Sequence, residues 1–405
     1  MELYFPLILD GATGTQLQKR GYTGSECAES WTLTHPEAIT DIHRRYAEAG
    51  SHIVYAPTFG ANRVKLEENG IFNRVADYNH RLAAIAKASS DGQTLIAGDI
   101  APTGKFLAPL GDVSFEELVE IYTEQAQALE EAGVDLFVIE TMMTVPEARA
   151  AVLAVKSVSQ KPILVTFTCD EKGRTLTGTD VTAALVILQG MGIAAFGLNC
   201  SVGPEEMLVQ LKRLSAYAEV PLIAKPNAGM PKIVDGRTVY ELDPAVFAAS
   251  VPAFAEAGVG VYGGCCGTTE AHIAAIAEAV QKVSYRKPAP THSQDMVLAT
   301  EKEVFVLSPA AETGPVIDCD EHLGEAIAEA AEKALPVLSV RITKAGQLED
   351  FADHQYAIDR PLCLCCDDAD LLEEALKRYQ GRAMVESSLG EDVLEKLSRS
   401  YGIYY

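Results

Sequence analysis

Along the first 285 residues, short apolar or β-branched runs end in polar or glycine-rich turns and are followed by longer stretches at helical spacing. The runs predict strands at Leu7–Leu9, His52–Tyr55, Thr94–Ala97, Leu136–Ile139, Ile163–Phe167, Ala195–Leu198, Leu222–Ala224 and Gly260–Tyr262. Helix ends are marked too. Ser114-Phe115-Glu116-Glu117 has the form of a capping box, in which serine oxygen and glutamate satisfy free amides of the first turn. Glu-Ala-Gly recurs at 48–50, 131–133 and 256–258, each time just before a strand, and glycine there can take the left-handed conformation that turns the chain back. Repeated strand–helix units imply a parallel sheet. Eight of them without a dinucleotide-binding glycine fingerprint predict an α/β chain whose residues 1–285 close into a (β/α)8 TIM barrel.

The pattern changes after residue 285. Residues 286–300, beginning Arg286-Lys287-Pro288-Ala289-Pro290, read as a linker. A smaller α/β unit is expected over 301–405, with strands near Val304–Leu307, Val337–Ile342, Leu362–Cys365 and Ala383–Glu386 and a helix over Glu321–Lys333.

In a barrel of this kind, chemistry sits at the C-terminal ends of the strands. Those ends carry Asp10-Gly11-Ala12-Thr13, Thr58, Asp99, Glu140-Thr141, Thr168 to Asp180, Asn199-Cys200, Pro226-Asn227 and Gly263-Gly264-Cys265-Cys266-Gly267-Thr268. All eight are polar or glycine-rich, which supports the barrel independently of the apolar runs.

Charge and cysteine usage narrow the setting. A formal net charge of −24 argues against nucleic acid or an anionic membrane as partner. The N-terminus shows no basic region followed by an apolar stretch, and no apolar run reaches the roughly 20 residues of a membrane helix. Nine cysteines, several of them adjacent, fit reduced thiols in the cytoplasm better than a disulfide framework.

Single cysteines at strand ends are usually small core residues, and Cys27 and Cys169 take that reading. The glycine-wrapped Cys265-Cys266 pair differs, because glycines permit close approach that a core strand does not need. Cys200, two strands earlier, can reach the same point above the barrel. Three thiolates form a soft, tetrahedral half-cage that suits zinc and leaves a fourth position for substrate. Such a site favours alkyl transfer to a bound sulfur over hydrolysis, since three thiolates blunt the metal's acidity toward water. A thiol-redox pair at Cys265-Cys266 is the rival reading.

On these motifs, together with Gly98-Asp99-Ile100-Ala101-Pro102-Thr103-Gly104 and Gly197-Leu198-Asn199-Cys200-Ser201, residues 1–285 resemble the homocysteine S-methyltransferase family. The resemblance is strongest to the homocysteine-binding barrel of cobalamin-dependent methionine synthase. It implies zinc on Cys200, Cys265 and Cys266, with Asn227 holding the fourth position until homocysteine displaces it. It further implies that Glu140 accepts the substrate amine and that amides around Gly11, Ala12 and Thr13 take its carboxylate, with Asp10 shaping the turn. Asn199, Asp99 and Thr58 complete the expected surroundings. The partners implied are L-homocysteine and a methyl-corrinoid protein carrying methylcobalamin as donor. S-methylmethionine or a betaine is the alternative donor, and a homocysteine-presenting module without turnover of its own is the alternative role.

Residues 301–405 resemble half of the pterin-binding barrel of such synthases, best over 370–382. Ser339, Arg341, Cys365 and Glu386 replace its polar groups, so folate binding is not expected. The sequence ends where another strand is expected, which fits a piece of a longer enzyme. Cys363, Cys365 and Cys366 read as buried strand residues rather than a second metal site.

Overall fold

The computed structural model describes residues 1–90, 92–108, 110–234, 237–333 and 335–405. The barrel strands are β1 (Leu7–Ile8), β2 (Ile53–Tyr55), β3 (Leu95–Ile100), β4 (Leu136–Met142), β5 (Ile163–Phe167), β6 (Ala195–Asn199), β7 (Leu222–Lys225) and β8 (Val259–Tyr262). They form one parallel sheet in the order β1-β8-β7-β6-β5-β4-β3-β2. The remaining gap, between β1 and β2, is bridged by single hydrogen bonds. The His52 amide donates to the Ile8 carbonyl at 2.7 Å, and the Tyr55 amide donates to the Asp10 carboxylate at 2.8 Å. The expected barrel is therefore present.

Two strands run further than the apolar pattern showed. Asp99 and Glu140 interrupt the hydrophobic runs, yet the ladder continues past them, pairing Asp99 with Val138 and Ile100 with Ile139. Inward-facing positions recur every second residue along a strand. The barrel interior is built from Leu7, Leu9, Ile53, Tyr55, Ala97, Leu136, Val138, Leu164, Ala195, Ile223 and Val261. Two residues beyond Ala97, Val138 and Ile223 stand Asp99, Glu140 and Lys225. The polar groups thus form the top layer of a core whose lower layers are apolar.

Helix punctuation follows the sequence. Gly50, Gly133 and Gly258 all have positive φ, at 105°, 73° and 86°. Ser114 accepts the Glu117 amide at 3.0 Å. A feature not anticipated is a small antiparallel hairpin, Lys232–Val234 with Arg237–Val239, in the connection after β7. Its strands have three residues each, too few for periodicity to register.

The chain forms two compact units, one of residues 1–177, 193–215 and 219–288 and the other of 178–192, 216–218 and 289–405. In the second unit, β9 (Met296–Ala299) pairs antiparallel with β10 (Val304–Leu307). A separate parallel sheet follows the order β11 (Val316–Asp318), β12 (Leu338–Arg341), β13 (Leu362–Cys365) and β14 (Met384–Glu386). Two expectations change here. The 286–300 stretch contains a strand, and Val304–Leu307 pairs with it instead of opening the parallel sheet. Val316–Asp318 takes that place, a three-residue strand too short to read from sequence. Helix Val181–Gly190 packs on β9, β10 and helix Glu391–Tyr401 within this unit, and the Asp180 amide donates to the Lys302 carbonyl at 3.0 Å. The helix expected over 321–333 spans Leu323–Glu332. Among the described residues, no helix is long and apolar enough to cross a membrane.

Candidate active site and metal centre

Cys200 directly follows β6 and has φ +62°, with Ser201 at +61°. Left-handed backbone is costly for residues with a side chain and persists only where its surroundings hold it. Here the Cys200 amide donates to the Lys225 carbonyl at 3.1 Å and the Val202 amide to the Cys200 carbonyl at 2.7 Å. The turn aims the Cys200 thiol at the loop after β8, where its Sγ lies 3.8 Å from Cys266 Sγ. The Sγ atoms of Cys200, Cys265 and Cys266 all lie within 4.8 Å of one another.

The cysteine loop is tied on both sides. The Cys265 amide donates to the Pro226 carbonyl and the Ala228 amide to the Cys266 carbonyl, each at 2.9 Å. Gly267 adopts φ +81°, and a Cβ there would run into Tyr240. Thr268 Oγ1 donates to the Cys265 carbonyl at 2.7 Å and accepts the Ala12 amide at 3.0 Å. Of the amides expected to receive a substrate carboxylate, that of Ala12 is therefore engaged within the fold, while Gly11 is packed against Tyr46 and Thr268.

Hydrogen bonds from Cys265 and Cys266 hold the Cys200 thiol far below its ordinary pKa, with Asn227 adding to the effect. The other two thiols are pushed up, first of all by their hydrogen bonding to Cys200. The three thiols are thus electrostatically linked through Cys200. Asn227 is buried, and its Oδ1 has no hydrogen-bond partner. The three cysteines could hold a metal ion.

Asn199 links the thiols to the neighbouring carboxylates. Its Nδ2 donates to Thr141 Oγ1 at 2.8 Å and its Oδ1 accepts the Thr141 amide at 3.0 Å, while Cys265 Sγ lies 3.8 Å from the same Nδ2. Thr141, immediately after Glu140, has φ +62°. Asn199 thereby clamps the strained residue that sets the direction of the Glu140 backbone.

Below the thiols lies a charge cluster. Lys225 Nζ is 3.3 Å from Glu140 Oε2, 3.6 Å from Asp10 Oδ1 and 3.7 Å from the centre of the Tyr55 ring. Burial alone pulls the Lys225 pKa down, but Glu140, Tyr55 and Asp10 outweigh it and raise it well above the ordinary value. Burial raises Asp10 to about 6 against the opposing pull of Lys225. Asp99 is raised well above the usual range by burial and then by Glu140. Thr58 is used structurally, its hydroxyl donating to the Asp99 carbonyl at 2.8 Å.

The family described as homocysteine S-methyltransferase matches the chain over residues 7–280. The chain belongs to that family. The methionine synthase of Mycobacterium tuberculosis is 30% identical over 430 residues, covering 95% of this chain and 36% of the relative. That of Mycobacterium leprae is 34% identical over 296 residues, covering 68% of this chain and 24% of the relative. The chain thus spans about a third or less of the length of these curated relatives. Among solved structures, the homocysteine methyltransferase MmuM from Escherichia coli in its metallated form superposes with a TM-score of 0.59 at 24% identity, over 68% of this chain and 96% of that one. This likeness is one of fold.

Several residues at the site had escaped notice. Lys225 lay beside the Pro226-Asn227 motif but looked like an ordinary strand end. Tyr240 reaches Cys266 from the unanticipated hairpin, its pKa raised by burial and by that thiol. Thr141 stood in the strand-end motif with Glu140, but its strained backbone gave no sequence signal. Cys27 and Cys169, expected in the core, are half-buried.

Proposed function

We propose that this chain transfers a methyl group to the thiol of L-homocysteine, giving methionine, at a zinc site formed by Cys200, Cys265 and Cys266. The observation that carries this reading is the convergence of the three sulfurs. Their donor set fits the ion: the 3.8 Å between Cys200 and Cys266 equals the edge, about 3.8 Å, of a tetrahedron with Zn–S bonds of ~2.3 Å. Asn227 Oδ1, buried and unpartnered, would supply a fourth, replaceable donor. Zinc there would supply the Lewis acidity that ionises the substrate thiol near neutral pH.

The protein's own groups position the reactants. Glu140 receives the substrate ammonium, while Lys225 and Asn199 hold Glu140 and its strand end in place. Backbone amides near Gly11 and Thr13 receive the carboxylate. The homocysteine thiol loses its proton to solvent, its sulfur attacks the methyl carbon, and the methyl–donor bond breaks with its electron pair leaving on the donor. No general base is needed once the thiol is ionised, and alignment supplies much of the rate. The likeness of 1–285 to cobalamin-dependent synthases supports a methyl-corrinoid donor, presented by a separate protein or domain.

The test is the visible spectrum of methylcobalamin mixed with zinc-loaded protein and L-homocysteine, with methionine quantified. Homocysteine-dependent loss of methylcobalamin with matching methionine supports the reading, and Cys200→Ser should abolish both. Methionine formed from S-methylmethionine or betaine instead would replace the donor. The greater length of the curated relatives favours a second reading, a module that presents homocysteine within a larger synthase. Homocysteine binding without turnover, with any carrier, would select it.

A further inference from the structure

Outside the barrel chemistry, the second unit gathers another set of ligating side chains. Cys363 and Cys365 are two apart on β13, so both face the same side of the sheet. On β14, Glu386 stands directly opposite Cys365 in the parallel ladder. The two Sγ atoms and a Glu386 carboxylate oxygen all lie within 4.8 Å of one another, and Cys365 Sγ is 3.9 Å from Glu386 Oε2. The thiols are 1% and 9% exposed, whereas Glu386 is open to solvent.

A neighbouring strand adds an independent observation. Ser339 on β12 stands opposite Cys363, is fully buried, and its hydroxyl bears on the Cys363 thiol. A buried hydroxyl beside the thiols makes this patch of the sheet polar where an apolar core would otherwise be expected. Arg341, opposite Cys365 in the ladder, is paired with Asp318 at 3.5 Å, which offsets part of its repulsion of a cation.

We propose that Cys363, Cys365 and Glu386 form a binding site for a thiophilic divalent cation of the zinc and cadmium class. Two thiolates and one carboxylate select such an ion over magnesium or calcium, which require oxygen ligands. The fourth corner faces solvent beside Glu386. Tetrahedral zinc with bonds of ~2.3 Å to sulfur and ~2.0 Å to oxygen needs ligand separations of roughly 3.5–3.8 Å. The ligand atoms, all within 4.8 Å of one another, need close by only about 1 Å to reach it. Binding releases the two thiol protons to solvent, and the ion then joins β13 to β14 at their C-terminal ends. The site is independent of the barrel thiols.

The test is an anaerobic titration of the reduced, metal-free chain with cadmium chloride. Thiolate-to-cadmium absorption follows binding, and metal analysis after gel filtration counts bound ions. The unmodified chain should hold one more equivalent than a Cys363→Ser/Cys365→Ser chain, whatever the barrel cysteines bind. Glu386→Gln, at an exposed position, should weaken that equivalent at least about tenfold. Equal stoichiometry in the unmodified and doubly substituted chains would overturn the site. So would unchanged affinity in Glu386→Gln, which decides the matter alone if the serine chain fails to fold.

Discussion

The ammonium of Lys225 lies 3.3 Å from the Glu140 carboxylate, with only 3% of the lysine side chain exposed. The same cation is 3.6 Å from Asp10 and stacked over Tyr55. This buried positive charge therefore offsets part of the negative charge of the carboxylates at the barrel mouth. It also leaves Glu140 only partly neutralised, which suits the proposed role of this carboxylate in receiving a substrate ammonium.

Removing that charge should be costly. Lys225→Met leaves buried carboxylates uncompensated, which typically destabilises by ~3–5 kcal/mol. Urea unfolding of the metal-free chain at neutral pH should show this loss. A change of less than about 1 kcal/mol would mean that water or protonation takes over the lysine's role.

Asn199 should matter to catalysis through Thr141 and Glu140. Asn199→Ala removes both bonds that hold Thr141 at positive φ. Homocysteine kcat/KM should fall by roughly ten- to a hundred-fold, as expected for a misplaced binding group. Metal content should be nearly unchanged, because Asn199 is not among the proposed ligands. Parallel loss of metal and activity would instead place its role at the thiols.

Acid stability should depend on His43. Burial holds its pKa down to about 4 from 6.5, and its Nδ1 lies 2.9 Å from Ser89 Oγ. A depressed pKa gives stability that is complete above pH 6.5 and lost as pH falls towards 4, up to ~3 kcal/mol. Asp10 acts with the opposite sign. Its pKa, raised from 3.8 to about 6, gives stability that is present below pH 3.8 and lost as pH rises through about 6. The two partly cancel between those limits. In His43→Leu, the melting temperature should therefore fall less on acidification than in the unmodified chain. An identical acid limb would exclude His43 as its source.

Residues 301–405 should not bind methyltetrahydrofolate. Arg341 is paired with Asp318, and Ser339, Cys363 and Cys365 are buried in the sheet. Calorimetry should detect no heat of binding at micromolar ligand, and saturable binding in that range would refute the expectation.

Much of this was legible in the sequence, and for a definite reason. Strand and helix periods, glycines after helix ends and polar residues at strand ends are local signals. They sufficed for eight barrel strands, for the cysteine-bearing loops after β6 and β8, and for Glu140 at the end of β4. Family resemblance then supplied roles for residues such as Asn227 that local pattern leaves as turn formers. What remained hidden depends on partners distant in the chain. Lys225 reads as a strand-end lysine until barrel closure surrounds it with Asp10, Tyr55 and Glu140. Glu386 reads as a substitution in a degraded motif until the β13–β14 register sets it opposite Cys365. Helix Val181–Gly190 keeps its place in the strand–helix series, yet packs with β9, β10 and the last helix. Periodicity specifies which face of an element is apolar. Only the folded chain decides what that face, or a buried charge beside it, will meet.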